Sequence, residues 1–100
     1  MTQDDARNAI IEVLQKIQAV SGLSCPPLAG SSIPPKVLEK FDSTLWPPAA
    51  VMIGIKLGVT IPKDVHIFGG EKGKPLLNID QSAKLICEKS TPKQSIKTAA

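Results

Sequence analysis

Three adjacent proline pairs, Pro26-Pro27, Pro34-Pro35 and Pro47-Pro48, fall within one short stretch of this chain. A proline has no backbone N–H and biases the residue before it away from helix, so nothing long and regular can run through that stretch. Long elements are left to the flanks. On the first flank, Thr2 followed three positions later by Asp5 forms a capping box, and Ala6, Ile10, Val13, Leu14, Ile17 and Val20 recur at helical spacing. The spacing predicts an amphipathic helix over 3–20, closed by Ser21-Gly22. A long irregular connection follows, with one turn of helix expected at Lys36 to Lys40.

The third proline pair sets the next boundary. Proline is tolerated in the first helical turn, and the residue before it is not, so the second long helix is expected from Pro48 to Leu57, stopped by Gly58. Only Lys56 is charged in it. Such a helix is either buried on most sides, the ordinary outcome, or presents apolar surface to a partner, because Met52, Ile53, Ile55 and Leu57 cannot all share one stripe. "VTIPKDVHIF" reads as a strand or as an extended link into a short helical turn, "GGEKGKP" as a flexible basic insertion, and Asn78 with Gln81 as the capping box of a last helix over 79–88. Residues 1–89 form one domain and 90–100 a polar, disordered tail.

The expected fold is all-α, a small bundle of three or four helices whose core includes Ile10, Leu14, Ile17, Val51, Ile55 and Ile86. A chain of 100 residues leaves little room for a deep catalytic cavity, and with aromatics at 3% aliphatic side chains must fill the interior. The formal charge of +3 is unevenly spread: residues 1–50 hold four basic and five acidic side chains and residues 51–100 eight basic and four acidic, so the surplus is in the second half. Such a surplus attracts phosphate or acidic partners, and scattered surface lysines produce it as well.

Chemistry-bearing residues are sparse. Cys25 and Cys87 form no C-x-x-C pair and read as inert core thiols, which fits a reducing, cytoplasmic setting. His66 is the only histidine, and no sequence pattern sets it beside Ser43 or Cys25 as a catalytic base. "GGEKGKPL" has the wrong spacing for a nucleotide-binding loop. It contains Gly70-Glu71-Lys72-Gly73, a G-x-x-G tetrapeptide like that of KH domains, with Lys72 and Lys74 suited to phosphate. That leaves one alternative, a non-enzymatic basic module binding nucleic acid or a protein.

Residues 41–62 carry a stronger signal. Phe41-Asp42-Ser43, followed by a helix and by Gly58-Val59-Thr60-Ile61-Pro62, resembles the attachment region of acyl and peptidyl carrier proteins, and the spacing between the two parts is similar. "VLEK" before the motif and "LLNIDQSAKLI" after it extend the likeness weakly over most of residues 4–88. The resemblance implies a divergent member of that phosphopantetheine-binding family. It makes Ser43 the serine that receives phosphopantetheine from coenzyme A, and Asp42 the neighbour that helps the transferase and its magnesium assemble. The protein would then be no enzyme, presenting an acyl or aminoacyl thioester in fatty acid or polyketide biosynthesis. Its implied partners are a phosphopantetheinyl transferase and acyl-loading and acyl-processing enzymes. A cytoplasmic monomer is expected, with neither membrane nor nucleic acid as partner, and an unmodified carrier-like interaction domain is a further alternative. Where the family's second helix is usually acidic, this chain has Pro48, Gly54, Ile55 and Lys56. Docking through Thr44, Met52, Ile55 and Lys56 would therefore be read by shape and apolar area rather than charge.

Overall fold

The computed structural model describes residues 2–41, 43–62, 64–70 and 73–92. Asp42 and Lys72, both singled out above, and residues 93–100 of the expected tail lie outside them. The first helix, α1 (Gln3–Val20), starts with the capping box: Thr2 Oγ1 accepts from the Asp5 amide at 3.1 Å, and the Asp5 carboxylate accepts from the Thr2 amide at 3.0 Å. Each bond satisfies a donor that the helix start would otherwise strand. The helix buries Ala6, Ala9, Ile10, Val13, Leu14 and Gln18 along one face, while Ile17 is half-buried. It ends at Ser21, and Gly22, at φ +72°, turns the chain away.

A single helical turn, α2 (Pro34–Val37), interrupts the proline-rich connection. It begins at Pro34 rather than Lys36, because proline's fixed φ suits the first helical position and Pro34 is itself buried. The next helix, α3 (Trp46–Leu57), likewise starts two residues before the expected Pro48. The first intrahelical bond runs from the Ala49 amide to the Leu45 carbonyl at 3.0 Å. Pro47 and Pro48 thus occupy first-turn positions whose N–H groups would have no acceptor within the helix. Packing of Trp46 against Phe68 holds it helical despite the proline that follows.

Beyond Gly58, left-handed at φ +71°, β1 (Val59–Thr60) is the extended segment anticipated there. The last helix, α4 (Ile79–Lys89), repeats the capping logic, with the Gln81 amide donating to Asn78 Oδ1 at 2.8 Å and the Asn78 amide to Gln81 Oε1 at 2.9 Å. β2 (Thr91–Pro92) then pairs antiparallel with β1, Val59 opposite Pro92 and Thr60 opposite Thr91. The first residues of the expected tail are therefore part of the fold.

The described chain is mostly helical, a small bundle organised on α1, which packs against both α3 and α4. Its core is built from Ile10, Leu14, Ile53, Phe68, Ile79 and Ile86, all almost fully buried. Two residues expected there are not: Val51 is 61% and Ile55 62% exposed. With apolar residues on nearly every side of α3, the sequence pattern could not reveal that Ala49, Ile53 and Gly54 make the inward face. Cys87 is exposed and Cys25 half-buried, so neither thiol belongs to the fully buried core. Where a short helical turn was expected after β1, the described residues form two separate turns, closed by Val65 N–H to Pro62 O and by Gly69 N–H to His66 O, each at 3.0 Å. No helix among the described residues is long and apolar enough to cross a membrane.

Candidate functional site

Ser43 owes its position to its neighbours on both sides. Gln18, buried on α1, donates from Nε2 to the Glu39 carbonyl at 3.2 Å and so fixes the chain just upstream. Lys40 then adopts φ +57°, a left-handed conformation that costs a side-chain-bearing residue about 1–2 kcal/mol. The reversal it produces sends Phe41 into the core, where its ring meets Phe68 edge to face with centroids 5.2 Å apart. After Ser43, Trp46 packs on the same Phe68 at 6.1 Å. All three aromatic residues of the chain are thereby spent on one cluster that brackets residues 42–45. Ser43 and Thr44 are left exposed in the turn ahead of α3.

Ser43 is also on the rim of an open groove of about 880 Å³, within the usual range of small-molecule clefts, about 300–1,000 Å³. One wall is α3, through Trp46, Pro47, Ala50, Val51 and Gly54. From Trp46 to Gly54 that wall extends about 12 Å along the helix axis. The other wall is the segment after β1, through Ile61, Pro62, Val65, Ile67 and Phe68. Among the described residues, Ser43, Thr60 and His66 bring polar side chains to it. The lining is thus apolar over most of its length and polar at a few points, the pattern of a site for an apolar guest.

The second wall is held from behind. Buried Ser82 on α4 donates from Oγ to the Ile67 carbonyl, and the Leu77 amide donates to the Phe68 carbonyl at 3.0 Å. Gly69 bridges to Leu76, and a Cβ on Gly69 would lie 2.6 Å from the Pro75 carbonyl, so only glycine lets the two strands of this loop approach. The segment expected to be a flexible insertion is anchored at both its described ends. At the far end of the groove, a Cβ on Gly54 would come within 2.8 Å of the Val59 carbonyl, which brings β1 against α3.

Of the other residues singled out by sequence, Met52, Ile55, Lys56 and Lys74 do not line this groove. Met52 is half-buried, Ile55 exposed, and Lys56 forms an ion pair with Glu12 of α1. Val51 and Ile55, one helical turn apart, present exposed apolar surface on α3. His66, which no sequence pattern tied to Ser43, is brought to the rim of the same groove. Lys74 borders a smaller cleft of about 500 Å³ with Lys89 and Asp64. The described residues contain no cluster of side chains that could hold a metal ion. Sequence reasoning missed Trp46, Phe68 and Gly54. The scarcity of aromatics, two of them flanking the Asp-Ser pair, was the signal that could have found the first two. No family model, curated protein or solved structure matches the chain.

Proposed function

We propose that the protein is a carrier that presents an acyl group as a thioester on a phosphopantetheine arm attached at Ser43, in a domain resembling the acyl carrier fold. The observation that carries this reading is the placement of an exposed serine hydroxyl on the rim of an apolar groove, directly ahead of a helix. The residues present fit such an arm. A hydroxyl in an exposed turn is open to a transferase, and its oxygen displaces adenosine bisphosphate from coenzyme A to form the phosphodiester. The arm supplies a terminal thiol that holds the cargo.

Everything else falls to the chain's own side chains. Phe41 and Trp46, fixed on Phe68, hold the attachment turn in place. The apolar walls of the groove favour an acyl over an aminoacyl cargo, because a charged ammonium placed there would lose its hydration without a partner. Pro47 and Pro48 remove two backbone donors from the first turn of α3, which leaves that turn poorly equipped to hold a phosphate. Solvent therefore screens the phosphodiester, and recognition by enzymes falls to Thr44, Met52, Ile55 and Lys56 on the α3 side.

Co-expression with a permissive phosphopantetheinyl transferase is expected to add one phosphopantetheine to the intact mass, and Ser43→Ala to abolish the addition. An unmodified protein after exposure to several transferases, or modification at Ser31 instead, would overturn the assignment.

A further inference from the structure

The face that α1 buries is apolar except at Gln18, which is fully shielded from solvent. An aliphatic residue of that size would pack there without the cost of burying an amide. What the amide does is hold main chain. Nε2 donates to the Glu39 carbonyl at 3.2 Å and, more loosely, to the Ser24 carbonyl at 3.5 Å, while Oε1 has no partner among the described residues. Both carbonyls belong to the proline-rich connection, and Glu39 directly precedes Lys40, which is left-handed at φ +57°. Leu38 and Phe41 are buried on either side. Their apolar contacts have no direction and are compatible with more than one path of the backbone between them, whereas a hydrogen bond to one carbonyl selects a path. The strain at Lys40 and the bond that opposes it are of the same order.

We infer that Gln18 is the positioning residue of Ser43: by holding the Glu39 carbonyl it keeps Lys40 left-handed, and the reversal at Lys40 turns Phe41 inward and delivers the Ser43 hydroxyl to the exposed turn on the rim of the groove. Gln18 does not line the groove and acts through Lys40. That the delivered hydroxyl is a modification site rests on the carrier reading, and that Gln18 delivers it does not. Without the bond the left-handed strain is no longer offset, and the presented turn competes with others in which Lys40 is relaxed. A transferase that accepts only the presented turn then meets it less often, which weakens its apparent affinity and leaves the step after binding unchanged.

The test follows transfer of phosphopantetheine to the full chain and separates kcat from the KM for the chain. Gln18→Met keeps the volume of the side chain and removes the donor. It is expected to raise KM about fivefold, the worth of one neutral hydrogen bond, with kcat unchanged. Lys40→Gly takes the left-handed conformation without strain, and adding it to Gln18→Met is expected to return KM to the parent's value. A KM that stays at the parent's value, a fall confined to kcat, or a defect that Lys40→Gly leaves in place would each overturn the inference, because a loss of core packing alone is indifferent to residue 40. A second readout needs no transferase. Trypsin should cut the Lys40–Phe41 bond of Gln18→Met about fivefold faster, relative to the Lys84–Leu85 bond of α4, than in the parent, since cleavage samples the relaxed turn. An unchanged ratio would overturn the inference. If Gln18→Met fails to fold, Gln18→Asn, whose amide is one methylene short of the Glu39 carbonyl, takes its place in both measurements. A parent that accepts no arm loses the carrier reading, and the cleavage ratio then decides for Gln18. A parent that accepts the arm with a KM indifferent to Gln18→Met keeps the carrier reading and loses this inference.

Discussion

Helices α1 and α4 differ from α3 in how they are specified. Both of the former start with a reciprocal capping box and bury one face while showing water a polar one. α3 has no side-chain cap, begins through prolines, and buries Ala49, Ile53 and Gly54 while leaving Val51 and Ile55 exposed. The first pair of helices is built as folding alone requires. α3 leaves Val51 and Ile55 largely exposed, and Val51 lines the groove on whose rim Ser43 lies.

The sharpest way to break that contrast is to truncate an inward and an outward position of α3. Ile53→Ala removes a fully buried side chain and is expected to cost about 2–5 kcal/mol in urea unfolding. Ile55→Ala is expected to stay within about 0.5 kcal/mol of the parent. Ile55→Glu should likewise fold, yet weaken docking to a cognate acyl-processing enzyme with little salt dependence. Similar stability losses at both positions would mean that α3 is buried all round and that the contrast with α1 and α4 is false.

A middle-sized effect is expected at the caps. Asn78→Ala removes the acceptor for the Gln81 amide and should lower stability by about 1 kcal/mol, read from thermal or urea midpoints. α3 has no such side chain to lose. An unchanged midpoint would show that α4 is held by packing alone.

The smallest effect is electrostatic. Hydrogen bonds from the backbone and side chain of Thr2 hold the Asp5 carboxyl below its ordinary value of 3.8. With the folded value depressed, its contribution is fully present above the unfolded value and is lost as pH falls through the folded one. The thermal midpoints of the parent and of Asp5→Asn should therefore differ slightly near neutrality and converge in acid. Curves that stay parallel into acid would remove Asp5 from the account of α1.

The same contrast explains what could be read in advance. Capping boxes are local, so Thr2 with Asp5 and Asn78 with Gln81 were visible in the sequence, as were the glycine stops at Gly22 and Gly58. The inward face of α3 was not, because a nearly all-apolar helix has no periodicity to read. Its start was misplaced because the preference of a residue before proline is weaker than the packing of Trp46 on Phe68. The exposure of Ser43 could be read from a polar residue in a turn ahead of a proline pair, whereas the groove could not be read. Its second wall depends on contacts between distant parts of the chain, such as Ser82 with Ile67, that no local pattern encodes.

The position of α1 as the common support of α3 and α4 has a consequence for synthesis. The first helix leaves the ribosome with its apolar face uncovered and receives its last partner only when residues 79–89 emerge. Contacts between α1 and α4 join residues 3–20 to residues 79–89, so a long loop must be closed before they are gained. Both other long helices thus depend on α1 being in place before they can bury their apolar faces.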